Sequence, residues 1–184
     1  QIPPGFIIKE AWQGRSDGNK FFHSDKNVCC TIAFDPIISE GIVRIEVVFE
    51  NTEGWCSIGF ADASCSFAAG KGPWDDGKKS VSYNGNYGCL DHITDFTKGN
   101  QKYANGQRVA VEIDMTTVPR RATFFVDDVE QPNFVIGIPE AIRFWVFTYK
   151  ESSSFTVTKF ERLIQSTAKG VEGSKALKWG KEWK

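Results

Sequence analysis

An all-β fold, built as a two-sheet antiparallel sandwich with a short irregular C-terminal tail, is what the sequence predicts. Three observations carry that prediction. The dominant hydrophobic period is two, as in Val43, Ile45, Val47 and Phe49 alternating with Arg44, Glu46, Val48 and Glu50. Helical periodicity is scarce, and the strand patterns follow one another across turns without intervening helices. Phe (15) and Trp (6) are abundant beside a single Met, which favours a pleated surface over a helical bundle.

The elements follow in order. Val28–Phe34 reads as a strand stopped by Asp35-Pro36, because proline cannot donate to a ladder. Gly41–Glu50 is a long strand with one buried face, and Asn51-Thr52-Glu53-Gly54 turns the chain into Trp55–Ala61. Between residues 62 and 107 the alternation loosens. Gly70, Gly72, Pro73, Asp75, Asp76 and Gly77 mark a long loop. Val81–Tyr83 and Gly88–His92 are short strands around Asn84-Gly85-Asn86, and Asn-Gly is a hairpin signal. Arg108–Asp114 and Arg121–Asp127 pair across Thr116-Thr117-Val118-Pro119. Asn133–Ile138, Ile142–Tyr149 and Ser154–Leu163 complete the series.

Residues 1–164 read as the sandwich domain and 165–184 as a basic tail or linker. The tail holds five lysines against two glutamates, net +3, which leaves −4 on the rest of a chain whose total is −1. Its three glycines argue against a helix. Leu177, Trp179 and Trp183 could dock it on the domain or on a partner. The near-zero net charge speaks against a nucleic-acid binder, which only the tail would allow. No run approaches the roughly 20 apolar residues of a membrane span. Five cysteines in no CxxC spacing read as reduced structural thiols, with one of Cys29 and Cys30 in the core. The thiols, and the absence of an N-x-S/T sequon, lead to the expectation of a cytoplasmic protein. Because the chain starts at Gln1, it is read as an excerpt of a larger protein.

No catalytic set, cofactor motif or metal signature emerges, so no enzyme activity is expected. Glu112 and Asp114 share a strand face, as glycosidase carboxylates can, but Thr116 stands where a third acid would complete the pattern. Glu46 and Glu50 share a face as well. The expectation for both pairs is a solvated strand face. Cys89 and His92, three apart in an extended segment, point to opposite faces. Asp75-Asp76-Gly77 reads as a turn rather than as a calcium ligand set.

Gly41–Ser64 (GIVRIEVVFENTEGWCSIGFADAS) resembles the core of the SPRY domain: a long strand, a turn containing Trp, and a strand carrying Ile58-Gly59-Phe60. Ala11-Trp12 and HSDKNVCCTIAFDP resemble its N-terminal strands. KSVSYNGNYGCLDH resembles its Ser-Tyr segment, and GQRVAVEIDMTTVPRRATFFVDDVEQP its strand–turn–strand. IRFWVFTYKESSSFTVTKF resembles its closing strands, so the likeness spans about residues 11–163. Asp128 stands where the family turn has Gly, Tyr83 follows Ser82 without the usual Trp, and Phe67–Lys79 has no counterpart.

The resemblance implies a concanavalin-like jelly roll that is a non-catalytic recognition module for a protein or short peptide, monomeric as a domain. It places the ligand on loops at one edge of the sandwich. Those loops carry Asp62, Ser64 and Phe67, then Trp74 ahead of Tyr83, then Tyr149 and Lys150, with Asn86 on the neighbouring turn. Trp74, in a Gly/Pro/Asp-rich loop, is the leading anchor, while Trp55 and Trp145 are expected in the core. The alternative is a lectin-like carbohydrate binder using Trp74, Asp75 and Asn86.

Overall fold

A computed structural model describes residues 1–184. Fifteen strands follow one another with only two 3₁₀ segments, Ala11–Gln13 and Pro73–Lys79. The first five strands are β1 (Gly5–Ile7), β2 (Gly14–Asp17), β3 (Lys20–His23), β4 (Cys30–Asp35) and β5 (Ile42–Glu50). Next come β6 (Cys56–Asp62), β7 (Ser80–Asn84), β8 (Cys89–Asp91), β9 (Arg108–Asp114) and β10 (Arg121–Val126). The last five are β11 (Val129–Glu130), β12 (Asn133–Ile136), β13 (Ile142–Thr148), β14 (Ser154–Leu163) and β15 (Lys175–Lys178). The strands expected from alternation are all present, with ends displaced by a residue or two.

The smaller sheet runs β1-β4-β13-β6-β7-β8, and the larger β15-β12-β10-β9-β5-β14-β3-β2 with β11 beside β10. Neighbours pair antiparallel, except that β15 lies parallel to β12. The core fills the space between the sheets. Ile58 and Phe60, Val81 and Tyr83, and Phe144 and Val146 face it from the smaller sheet. Val43, Ile45, Val47, Phe49, Val109, Val111 and Phe155 meet them from the larger one. Burial on this scale, at about 25 cal/mol per Å² of apolar surface, is the main force holding the sheets together.

The outer face of the larger sheet departs from expectation. Glu46, Glu112 and Asp114 are buried rather than solvated. Arg108 lies 3.4 Å from Glu46, and the Thr158 hydroxyl donates to Glu46 at 2.7 Å. Both the Ser166 and Thr167 hydroxyls donate to the Glu112 carboxylate. Arg44 spans Asp128 and the ring of Phe125. A buried carboxylate needs such partners, since an unpaired one costs several kcal/mol. Glu112 is thus a sealed structural acid, and the glycosidase reading loses its residue.

The segment expected as an irregular tail is what seals it. Residues 165–168 cross the larger sheet, and 175–178 extend it as β15. Leu177 and Trp183 are buried, and Trp179 stacks 5.8 Å from Phe60. The apolar side chains at 177, 179 and 183 outweigh the glycines, which here only shape turns: Gly170, Gly173 and Gly180 all have positive φ. Trp183→Ala should therefore cost about 3 kcal/mol in urea unfolding. A loss below ~1 kcal/mol would mean that the C-terminal residues lie outside the cooperative core.

Candidate functional site

On the smaller sheet, residues 143, 145 and 147 of β13 and 57, 59 and 61 of β6 face away from the core. Trp145 is the largest of them. Its ring lies over Gly59, where even a methyl group would come within 2.5 Å of the indole. Its indole N–H donates to the Ser80 hydroxyl at 2.9 Å, and that hydroxyl donates on to the Phe60 carbonyl. Phe67 caps the indole edge-on at 5.8 Å, with Ala61 and Cys65 beside it.

Trp145 is thus fully buried although it faces outward, because the 63–79 loop folds over it as a lid. The lid is also tied down by the Thr31 hydroxyl, which donates to the Lys71 carbonyl at 2.9 Å. Gly72, Pro73 and Asp75 form the turn that starts the 3₁₀ segment, with the Asp75 carboxylate accepting from the Gly72 N–H. That turn sets Trp74 edge-on to Phe147 at 5.3 Å and leaves the indole 61% exposed.

Two residues along the same strand face, Tyr149 supports Trp55 at 5.9 Å. Trp55 is 58% exposed, which corrects the expectation that it is core. It shares parity with Ser57 and Gly59, the outward set of β6, and the lid does not reach it. The same parity holds for Trp145, so the lid alone decides which of the two tryptophans is buried.

Between these tryptophans and the 91–95 turn lies a cleft of about 440 Å³. Ser57, Ser82, Asn84 and Asp91, from β6, β7 and β8, line it. Asp75, Asp76, Lys78 and Asp95 also line it. Burial holds the Asp91 carboxyl above its ordinary value, and Asp95 pushes the same way. The lining His92 is held below its ordinary value by burial. Its Nδ1 faces the Ser80 carbonyl at 2.8 Å, and its Nε2 accepts from the Gly180 N–H at 3.0 Å. Trp179 and Trp183 pack against the ring. His92 therefore joins the cleft to the C-terminal segment in its neutral form. No Cys–His pair exists: burial and the charge of Asp91 push the Cys89 thiol up to about 12.

The structure brings together Trp74 and Tyr149 of the residues expected to bind, with Lys150 just beyond, reaching Glu53 at 3.5 Å. Asp62 and Ser64 lie apart from them. They bond to each other through an Asx turn, and Ser64 opens onto a separate hollow with Lys9 and Arg143. Asn86 is exposed on a further depression with Gly54 and Asn105. Phe67 and Tyr83 are corrected to core: one caps Trp145, and the other is packed between Tyr103 and Phe124. Ser57, Ser82, Asp91 and Asp95 were missed by the sequence reading. Outward parity on β6 and β7 was the signal for the serines, but nothing marked the two acids.

No protein-family model matches the sequence, and no curated protein matches it. Solved structures do match. The SPRY domain of human HERC1 superposes with a TM-score of 0.62 at 11% identity, covering 83% of this chain and 96% of that one. The TRIM65 PSpry domain gives 0.58 at 11% identity, covering 86% and 93%. The fold is that of a SPRY domain. A Bacillus subtilis carbohydrate-binding module, CBM66, shares the sandwich more distantly, with a TM-score of 0.50 at 6% identity over 86% of this chain and 94% of that one. Within this SPRY fold, no helix is long and apolar enough to cross a membrane.

The neutral state of His92 carries a pH signature. Below about pH 6.5 the unfolded chain takes up a proton that the folded imidazole resists. The stability linked to His92 is full above that pH and is lost as pH falls toward the lower folded value. Urea midpoints measured from pH 7.5 to 5 should drop in the wild type and drop less in His92→Gln. Parallel profiles would contradict this assignment.

Proposed function

We propose that this SPRY-fold chain is a non-catalytic recognition module that holds a short peptide or a segment of a partner protein in the cleft beside Trp74. One observation carries the reading. Two tryptophans are more than half exposed, yet each is held in place by a strand aromatic, Phe147 or Tyr149. Rigid exposed aromatics lose little entropy on binding and are enriched at the centres of interfaces. The floor beneath them is a sheet, so the anchors stand on a scaffold that moves little. Polar groups from three adjacent strands would fix the orientation of a bound segment. The domain would act as a monomer, and a cytoplasmic setting suits its five free thiols.

A carbohydrate reading has one specific support, the distant likeness to the CBM66 sandwich together with indole faces next to hydroxyls and an amide. Saturable binding on a glycan array, lost in Trp74→Ala, would favour it over the peptide reading.

The test is quantitative capture by the wild type and by Trp74→Ala, with bound proteins identified by mass spectrometry. Trp74→Ala should weaken capture by at least about thirtyfold, the loss of one anchor of ~2 kcal/mol. Its melting temperature should stay within about 2 °C, because most of the indole is already solvated. Undiminished capture would place the binding surface elsewhere.

A further inference from the structure

The cleft is chemically one-sided. Asp75, Asp76, Asp91 and Asp95 line it, against Lys78 as its sole lysine or arginine. No lysine or arginine lies within ion-pair distance of any of the four carboxylates, although nine such contacts occur elsewhere in the chain. The carboxylates have only partial local partners. Asp75 accepts from the Gly72 N–H, Asp76 from the Cys65 thiol, and Asp91 from the Phe96 N–H and the Cys89 thiol. Each of those contacts uses one oxygen of its carboxylate.

A second observation points the same way. Ser57 and Ser82 are only 4% and 8% exposed, and both line the cleft from the outward face of β6 and β7. Neither hydroxyl has a hydrogen-bond partner within the protein, and neither is sealed from the cleft. Side chains this enclosed ordinarily pair their hydroxyls within the protein, so two open ones in diagonal register on adjacent strands form a prepared acceptor surface. The indoles of Trp74 and Trp55 border the same space, and an indole face attracts a cation. A phosphate or an acidic side chain would meet four like charges. A bare divalent cation finds no grouping of three or more ligating side chains.

We infer that the cleft seats a basic side chain, arginine or lysine, projecting from the bound partner segment. The inference rests on the recognition reading above and names the chemistry of its ligand. The ammonium or guanidinium would donate to Asp91 and Asp95 and to the Ser57 and Ser82 hydroxyls, with its stem against Trp74. Charge-assisted hydrogen bonds in such a half-enclosed site are the strong kind.

The experiment is selection of a displayed random dodecapeptide library on the full 184-residue chain, with counter-selection against Trp74→Ala. Enriched peptides are expected to share a basic residue at one position. A selected peptide resynthesised with citrulline or norleucine there should bind about tenfold to a hundredfold more weakly. Asp91→Asn and Asp95→Asn should each weaken the parent peptide while circular dichroism melting stays unchanged. Asp95 is exposed and without a side-chain bond, so its variant leaves the fold untouched. Peptides that need Trp74 yet share no basic residue, or that bind Asp91→Asn and Asp95→Asn undiminished, would overturn the cation assignment and leave the recognition reading standing. Failure to enrich any peptide over Trp74→Ala would overturn both.

Discussion

The packing of Trp145 on Gly59 is the contact on which the lid and the cleft beside it depend. The missing side chain at 59 lets an indole lie flat on the outer surface of the smaller sheet. The indole N–H is satisfied by Ser80 in the adjacent strand, so burying it costs no unpaired donor. A tryptophan lying on a sheet in this way has a large apolar surface still to cover. Phe67, Cys65 and Ala61 cover it, which draws the 63–79 loop down as a lid. The position of Trp74, and hence one wall of the cleft, follows from where that lid ends.

The two outer faces of the sandwich are finished in different ways. On the larger sheet, Glu46 is matched by Thr158 and Arg108, and Glu112 and Arg44 are held by Ser166 and Thr167. Those three charges are thus spent on one another, on Arg108 and on the chain that crosses the sheet. On the smaller sheet the lid covers Trp145 but not the strand face around Ser57 and Ser82. Beyond its edge the strand face continues with Ser57 and Ser82, whose hydroxyls are open, and with carboxylates that have no lysine or arginine within ion-pair distance. These groups are open to solvent in the free protein, which leaves their hydrogen-bonding capacity available to a ligand. His92 lies where the two systems meet. It touches the cleft on one side and holds Gly180, Trp179 and Trp183 on the other.

Alternation made the strands legible, because a sheet with one face against a core writes its period directly into the sequence. Arg108–Asp114 and Ser154–Leu163 match the observed limits. The short edge strands β1, β2 and β15 carry too few residues for a period to register, and the pairing of β15 is decided by Leu177 and Trp183 rather than by local preference. The exposure of Trp74 was readable from its loop position. That of Trp55 was not, because parity tells which way a side chain points but not what will cover it. The burial of Glu112 was hidden for the same reason, since its cover comes from residues more than fifty positions later. Asp91 and Asp95 gain their meaning only when the hairpin β7–β8 brings them opposite the lid.

The central claim is that Trp145 holds the lid, and the lid holds the cleft. Native-state hydrogen exchange on Trp145→Phe tests it most directly. The amides of Cys65, Lys71 and Asp75, all in hydrogen-bonded turns of the lid, should exchange at least about tenfold faster than in the wild type. Amides of β5 and β9, in the middle of the larger sheet, should keep their protection. Lid amides that exchange at the wild-type rate, with the core unaltered, would contradict the account.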